Sequence, residues 1–334
     1  MRNLCRLFMV TALATLFFGV NAFAKLSKAQ EAAQWESKAT QVMDICLVGS
    51  PPFRLTEDVK VWTKEDKWVE GTYTIIWGSP DQWNEELTLP NYHEIRVGGQ
   101  QSIWSLRSQP HWTAAALHAW PLVKIPGFTA RAEKFGVNRI YETKAGEITS
   151  RCFFGKPIGS VKAEECFDVD HSFFLSSTDT AASGMMRTEF GDYFKVGEHF
   201  IPRQRRQFRN GHLVGEVHVR DASLTQAVDP AMLAPPLGAM RTAGCQSPVT
   251  PKPITMPDPA ARRAKVSGTV ALEVRIDPHG SVEDAVVVES LAPSLDNSVV
   301  ETIKKGWRFE PATCLGAPVP FEMVVEVDFL RSIF

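Results

Sequence analysis

Residues 321–329 alternate without a break. Phe321, Met323, Val325, Val327 and Phe329 fall on one side, and Glu322, Val324, Glu326 and Asp328 on the other. A period of two is satisfied by a strand with one buried face, and a one-residue slip would turn the whole apolar set out to water. The stretch before it carries matching text. Val270, Leu272, Val274 and Ile276 alternate with Thr269, Ala271, Glu273 and Arg275, and Asp277-Pro278-His279-Gly280 supplies turn chemistry. A second β-rich run spans 282–289, where the continuous Val286-Val287-Val288 leaves the faces unassigned. A helix then opens at Ser294 as cap, with Asp296 in its first turn, Lys304 and Lys305 in its last, and Gly306 as its stop. Leu295, Val299 and Ile303 recur every four residues and face the sheet, with Trp307 just beyond the stop. The expected unit is ββαβ, an antiparallel sheet with one helix on one face.

The motifs along this stretch occur in a telling order. They are Pro257-Asp258-Pro259, Ala261 followed by Gly268-Thr269-Val270, Asp277-Pro278-x-Gly280, Leu295-Asp296 with Ile303, Trp307-Arg308-Phe309-x-Pro311 and Gly316-x-Pro318-Val319. Together they resemble the C-terminal domain of the TonB energy transducers over residues 257–331. The resemblance implies a periplasmic domain that binds a short extended peptide of an outer-membrane TonB-dependent transporter, or a similar periplasmic segment, by strand addition. It implies that Val324, Val325, Glu326, Val327, Asp328 and Phe329 form or flank the docking strand. The plainer reading is an ordinary core strand, or one that pairs with a second copy of itself.

Residues 1–24 read as a signal peptide. Arg2 and Arg6 precede an apolar stretch at 7–20, and Ala22-Phe23-Ala24 precedes Lys25 as a cleavage site. A spanning helix needs roughly 20 apolar residues, so cleavage and a periplasmic location are expected; an uncleaved segment would instead anchor the chain in the inner membrane. TonB transducers keep such an anchor, followed by a long Pro-rich linker, and use it to meet proton-channel partners. Those partners are expected here only if the N-terminal helix is retained.

Export implies an oxidising compartment and disulfides. Cys152 and Cys166 flank a Gly/Pro-containing loop and read as a pair across a hairpin, worth ~3 kcal/mol by loop closure. Cys245 and Cys314 read as a second pair, clamping the chain before the C-terminal domain to its last turn. Cys46 is left over, as a buried free thiol. No C-x-x-C occurs, so neither a redox dithiol nor a zinc ribbon is indicated.

Residues 25–230 read as a mostly antiparallel β domain. Ser27-Lys28-Ala29-Gln30 is a capping box opening a helix to about residue 43 or 46, and Pro51-Pro52 breaks the chain. Strands with turn signals follow from residue 53 to 107, then a short helix over 114–117 ahead of Pro121, then a second β block over 136–219. Asn210-Gly211 is the sharpest hairpin signal, on a strand that places Arg203, Arg205 and Arg209 on one face. Eight of the nine Trp lie between Trp35 and Trp120, so this domain is the aromatic-rich one. A signal peptide, a leading helix, Trp- and Tyr-rich antiparallel strands and the late Pro202-Arg203…Asn210-Gly211 hairpin resemble the LolA-type lipoprotein-carrier fold. That resemblance implies an open half-barrel with lid helices, a lipid or acyl ligand lined by Trp62, Tyr73, Trp77, Trp83 and Trp104, and an Arg strand meeting an anionic headgroup. A strand Trp is more often plain core, and an Arg-rich face more often simply solvated.

Residues 231–256 read as an extended Pro-rich linker, and 257–334 as the TonB-like domain. The fold class expected is α+β. A formal charge of −2 and a pI near 6.5 offer no basic footprint for nucleic acid. No Walker, H-E-x-x-H, G-x-S-x-G or G-x-G-x-x-G motif is present. His212 and His218 share a strand face about 20 Å apart, too far for one metal, and the Asp168, Asp170, His171 group reads as a surface loop. No enzyme, cofactor or metal is expected. Three functions fit: an exported TonB-like protein that docks a partner strand and holds a ligand in its β domain, a membrane-anchored transducer for TonB-dependent transport, or a soluble lipid or lipoprotein carrier.

Overall fold

The computed structural model describes residues 26–47, 49–63, 67–98, 102–123, 135–157, 162–181, 184–243, 249–259 and 268–329. The expected signal peptide lies outside them. Helix α1 (Lys28–Met43) starts at the capping box: Ser27 Oγ accepts the Gln30 N–H, and Gln30 Oε1 accepts the Ser27 N–H. Two runs of strands follow. The first is β1 (Phe53–Thr63), β2 (Lys67–Ser79), β3 (Gln82–Leu89), β4 (Tyr92–Gly98) and β5 (Ile103–Arg107), ending in helix α2 (Ala114–Val123). The second is β6 (Phe135–Ala145), β7 (Ile148–Pro157), β8 (Lys162–Asp168), β9 (Phe174–Ala181), β10 (Gly184–Val196), β11 (His199–Arg209) and β12 (His212–Leu224).

These strands and β13 (Met240–Ala243) make one open antiparallel sheet of 13 strands, in the order β13-β5-β4-β3-β2-β1-β12-β11-β10-β9-β8-β7-β6. The two runs join where the first strand meets the last, from Phe53 opposite Leu224 to Val61 opposite Gly215. The hairpin between β11 and β12 turns at Asn210 and Gly211 with φ of 51° and 82°, the paired positive values that Asn-Gly accepts.

One face of the first run is core. Phe53, Leu55, Val59, Val61, Tyr73, Ile75 and Trp77 are buried there in one cluster with Ala116, Ala119, Trp120, Leu122 and Val123 of α2. We call this the inner face. The helix is longer than the sequence suggests, because it runs through Pro121 to Val123. Burial of Trp120, Leu122 and Val123 on the sheet outweighs the backbone bond that proline forfeits. A second cluster joins Ala32, Ala39 and Met43 of α1 to Phe153, Phe167 and Phe174.

The described residues of the Pro-rich stretch 231–256 are tied to both domains. Its β13 pairs with β5, Asn84 Nδ2 donates to the Met232 carbonyl at 2.7 Å, and β14 (Lys252–Thr255) pairs with β17 (Arg308–Glu310). The passing chain satisfies sheet edges that would otherwise be bare.

The C-terminal sheet runs β16-β15-β20, from β15 (Gly268–Ile276), β16 (Val282–Glu289) and β20 (Phe321–Phe329). Helix α3 (Pro293–Gly306) follows β16 and buries Leu295, Val299 and Ile303 against Val270, Leu272, Val274 and Ile276. A two-strand ribbon, β18 (Thr313–Cys314) with β19 (Ala317–Pro318), precedes β20. Ser294 does not cap α3. Ala292 holds the cap position without a side-chain bond, and Asp296 instead reaches back to accept from the Leu291 N–H and from Ser290 Oγ.

Candidate functional site

The chain offers two places where structure and sequence motifs meet: the outer edge of β20, and the charged seam behind it. Strand β20 pairs with β15 from Phe321 opposite Ile276 to Phe329 opposite Gly268. Among the described residues nothing pairs with its other edge, although β13 comes within 8 Å between Cα atoms. Its apolar row, Met323, Val325, Val327 and Phe329, packs into the α3 core. Its other row is polar and engaged. Glu322 Oε2 accepts from Arg107 Nη2 at 2.6 Å and its Oε1 from Arg275 at 2.9 Å, Glu326 meets Arg209 at 3.5 Å, and Asp328 accepts from Thr269 Oγ1 at 2.9 Å. The expected docking residues therefore lie on one continuous edge strand, with Val325, Val327 and Phe329 pointing inward and Val324, Glu326 and Asp328 pointing away from α3.

The seam centres on Glu94, whose side chain is fully buried on the inner face of β4. It accepts from Tyr92 Oη at 2.6 Å, Ser105 Oγ at 2.8 Å, Trp120 Nε1 at 2.8 Å, Arg96 Nε at 2.9 Å and Arg107 Nε at 3.0 Å. Burial pushes its carboxyl up, but Arg96, Arg107 and the hydrogen bonds outweigh that and bring it down to about 2. The same carboxylate raises the Tyr92 hydroxyl, after burial, and it is the first of the neighbouring charges that hold Arg107 up against burial. Arg96 also lies over the Trp120 ring at 3.7 Å. From Glu94 the network crosses to the C-terminal sheet. Arg107 Nη1 donates to Glu273 at 3.0 Å, and the Trp112 N–H donates to the other oxygen of Glu273 at 2.9 Å. His118 of α2 meets Glu289 of β16 at 2.6 Å. Nothing in the sequence marks the crossing from Glu94 to Glu273, because Ser105, Arg107 and Trp120 lie 11 to 26 residues from Glu94 and Glu273 lies 166 from Arg107.

The five aromatic residues expected around a ligand are not brought together. Tyr73, Trp77 and Trp83 are buried in the inner-face core, with Tyr73 edge-on against Trp120 of α2. Trp62 points the other way: Val61 and Thr63 on either side of it are buried, and its ring packs edge-on against Trp68 at 5.2 Å. Trp104 lies between Ile103, which packs on the inner core, and Ser105, which bonds Glu94, so it too faces outward. The three arginines of the β11 face are likewise dispersed. Arg205 is buried in an ion pair with Glu57, Arg203 pairs with Asp192 at 3.3 Å, and Arg209 reaches Glu326.

Cys152 and Cys166 are directly opposed on β7 and β8 and form a disulfide, with Cα atoms 4.1 Å apart. Cys314 is also disulfide-bonded; Cys245, its expected partner, lies outside the described residues. Cys46 is a free cysteine, its thiol pushed up by burial and by Asp44 and Glu85. Among the described residues no group of three His, Cys, Asp or Glu is arranged to hold a metal, and no helix is long and apolar enough to cross a membrane. Asp168 accepts the N–H groups of Asp170 and His171, a loop-closing role.

No curated protein matches this chain. Among solved structures it is similar to a domain from Vibrio parahaemolyticus described as outer-membrane lipoprotein-sorting, at 9% identity over 61% of this chain and 97% of that one, with a TM-score of 0.46. It is similar to a LolA superfamily protein from Nitrosomonas europaea at 10% identity over 63% and 98%, TM-score 0.41. A DUF1329 family protein from Desulfovibrio piger aligns at 8% identity over 63% and 98%, TM-score 0.46. The family match belongs to the end of the chain: residues 258–330 fit the model described as Gram-negative bacterial TonB protein C-terminal.

Proposed function

We propose that this is an exported envelope protein whose C-terminal domain, residues 257–334, docks an extended segment of an outer-membrane TonB-dependent transporter or a similar periplasmic peptide by strand addition to β20. The observation that carries this reading is that β20 is the terminal strand of its sheet and keeps one edge unpaired among the described residues. An incoming strand would take its affinity from main-chain bonds along that edge and its register from the alternating side chains. The family match over the same residues supports it. In this reading the domain of residues 25–230 is the sensing or carrying part, with α1 and α2 as lids, and the chain works as a periplasmic adaptor after its signal peptide is removed.

The test uses adjacent prolines. In an antiparallel strand, successive residues direct their N–H groups to opposite edges, so one of Val324 and Val325 donates toward β15 and the other toward the open edge. We expect one of Val324→Pro and Val325→Pro to keep its melting temperature and lose binding of a synthetic transporter peptide by at least about tenfold. The other should lose stability instead. Calorimetric titration of the full chain reads the first, and thermal melts read the second. If both variants bind the peptide like the parent, docking does not use this edge.

A further inference from the structure

The C-terminal sheet has two faces. One is covered by α3. The other carries Ala271, Glu273 and Glu289, at 1%, 6% and 5% exposure, although α3 does not touch them. What buries them is the N-terminal domain. The polar contacts across this seam set carboxylates of the C-terminal sheet against a cation, imidazole or N–H of the N-terminal domain. Glu273 and Glu322 take Arg107, Glu273 also takes the Trp112 N–H, Glu289 takes His118, and Glu326 takes Arg209. Trp112 lies two residues before the start of α2 and His118 lies within it, while the opposite side of α2 packs on the inner face of the large sheet. The helix is therefore held between the two sheets.

We infer that the C-terminal sheet is a charge-paired clamp on α2, so that release of the C-terminal domain and loosening of α2 from the inner face are one coupled event. This goes beyond the docking reading and stands on contacts that do not involve the open edge of β20. The physical case rests on the chemistry of the seam. A seam of matched charges trades hydration for pairing at close to break-even, whereas an apolar seam of the same size would be held shut. On opening, Glu273, Glu289 and Arg107 regain water, and Glu94 stays with Arg96 and Arg107 on the N-terminal side. Screening weakens such a seam, and least at its buried members.

Glu289→Gln and Glu322→Gln keep side-chain size and remove two of the charges from the C-terminal side only. Hydrogen exchange of residues 114–123 in the full chain reads α2, and small-angle scattering reads separation of the domains. We expect exchange at α2 to rise on the order of tenfold in the double variant. The same rise is expected in the parent when salt goes from about 0.05 M to about 1 M, with strands β1 to β3 still protected and the scattering envelope enlarged. The inference is overturned if the domains separate while α2 exchange stays at the parent rate, or if the domains stay together in the double variant. An exchanged pair, Arg209→Glu with Glu326→Arg, should restore the closed envelope and slow α2 exchange that each single change disturbs; failure to restore them would also count against the clamp. Peptide titration is a separate readout, so loss of the docking reading leaves these outcomes intact.

Discussion

Glu94 accepts six hydrogen bonds from five residues on a side chain with no exposure, and two of those residues are arginines. That number of partners is what makes a buried carboxylate tolerable, since an unpaired one would be strongly destabilising. Its carboxyl sits at about 2 against an ordinary value of 4.5. The stability it adds is therefore complete above roughly pH 5 and is lost as the pH falls through 4 toward 2, on the order of 3 kcal/mol in total. We expect the parent melting temperature to drop across that window and the Glu94→Gln variant, already destabilised at pH 7, to show a flatter profile. Thermal melts from pH 2 to pH 7 check it, and parallel profiles would contradict the assignment. None of this was visible in the one-dimensional text. Glu94 and Arg96 occupy alternate positions of one strand, and the alternation of β4 gives no sign that the face carrying them is the buried one. The cysteines were more legible, because a pair of cysteines flanking a loop on adjacent strands constrains its own geometry.

Secondary-structure elements follow the same division. The helix α1 and the Asn210-Gly211 hairpin are written in local chemistry, and both form as that chemistry predicts. Where tertiary contacts decide, local text misleads. Pro121 marks an end to α2 that burial overrides. The run Val286-Val287-Val288 hides a bulge: Val287 pairs with Leu272 but Glu289 pairs with Ala271, so Val288 is the extra residue. Glu289 thus faces with Ala271 away from the α3 core and toward His118. Deleting Val288 would restore even alternation and leave Glu289 opposite Ala271, on the face that meets His118. We expect the C-terminal sheet to keep its stability to within about 2 kcal/mol. The denaturant midpoint read from the near-ultraviolet signal of Trp307 is the measurement; a much larger loss would mean that the bulge itself is required.

As a whole molecule, the chain holds separate apolar cores joined by a polar seam. The inner-face cluster and the α3 cluster share no residue. Val299→Ala, at a fully buried position of α3, should cost about 2 kcal/mol or more. We expect hydrogen exchange to quicken throughout β15, β16 and β20 and to change little in β1 to β3. Equal acceleration in both sheets would show a single cooperative unit instead. The family-level likeness of residues 257–331 and the α+β class were legible without coordinates, because they rest on short-range periods, turns and caps that each segment carries by itself. The pairing of β1 with β12, the burial of Tyr73, Trp77 and Trp83 in the inner-face core, the outward turn of Trp62 and Trp104, and the clasp of Glu273, Glu289 and Glu322 were not. They depend on which distant strands become neighbours and on which face of each is covered, and a period of two specifies that a strand has two faces without saying which one meets water.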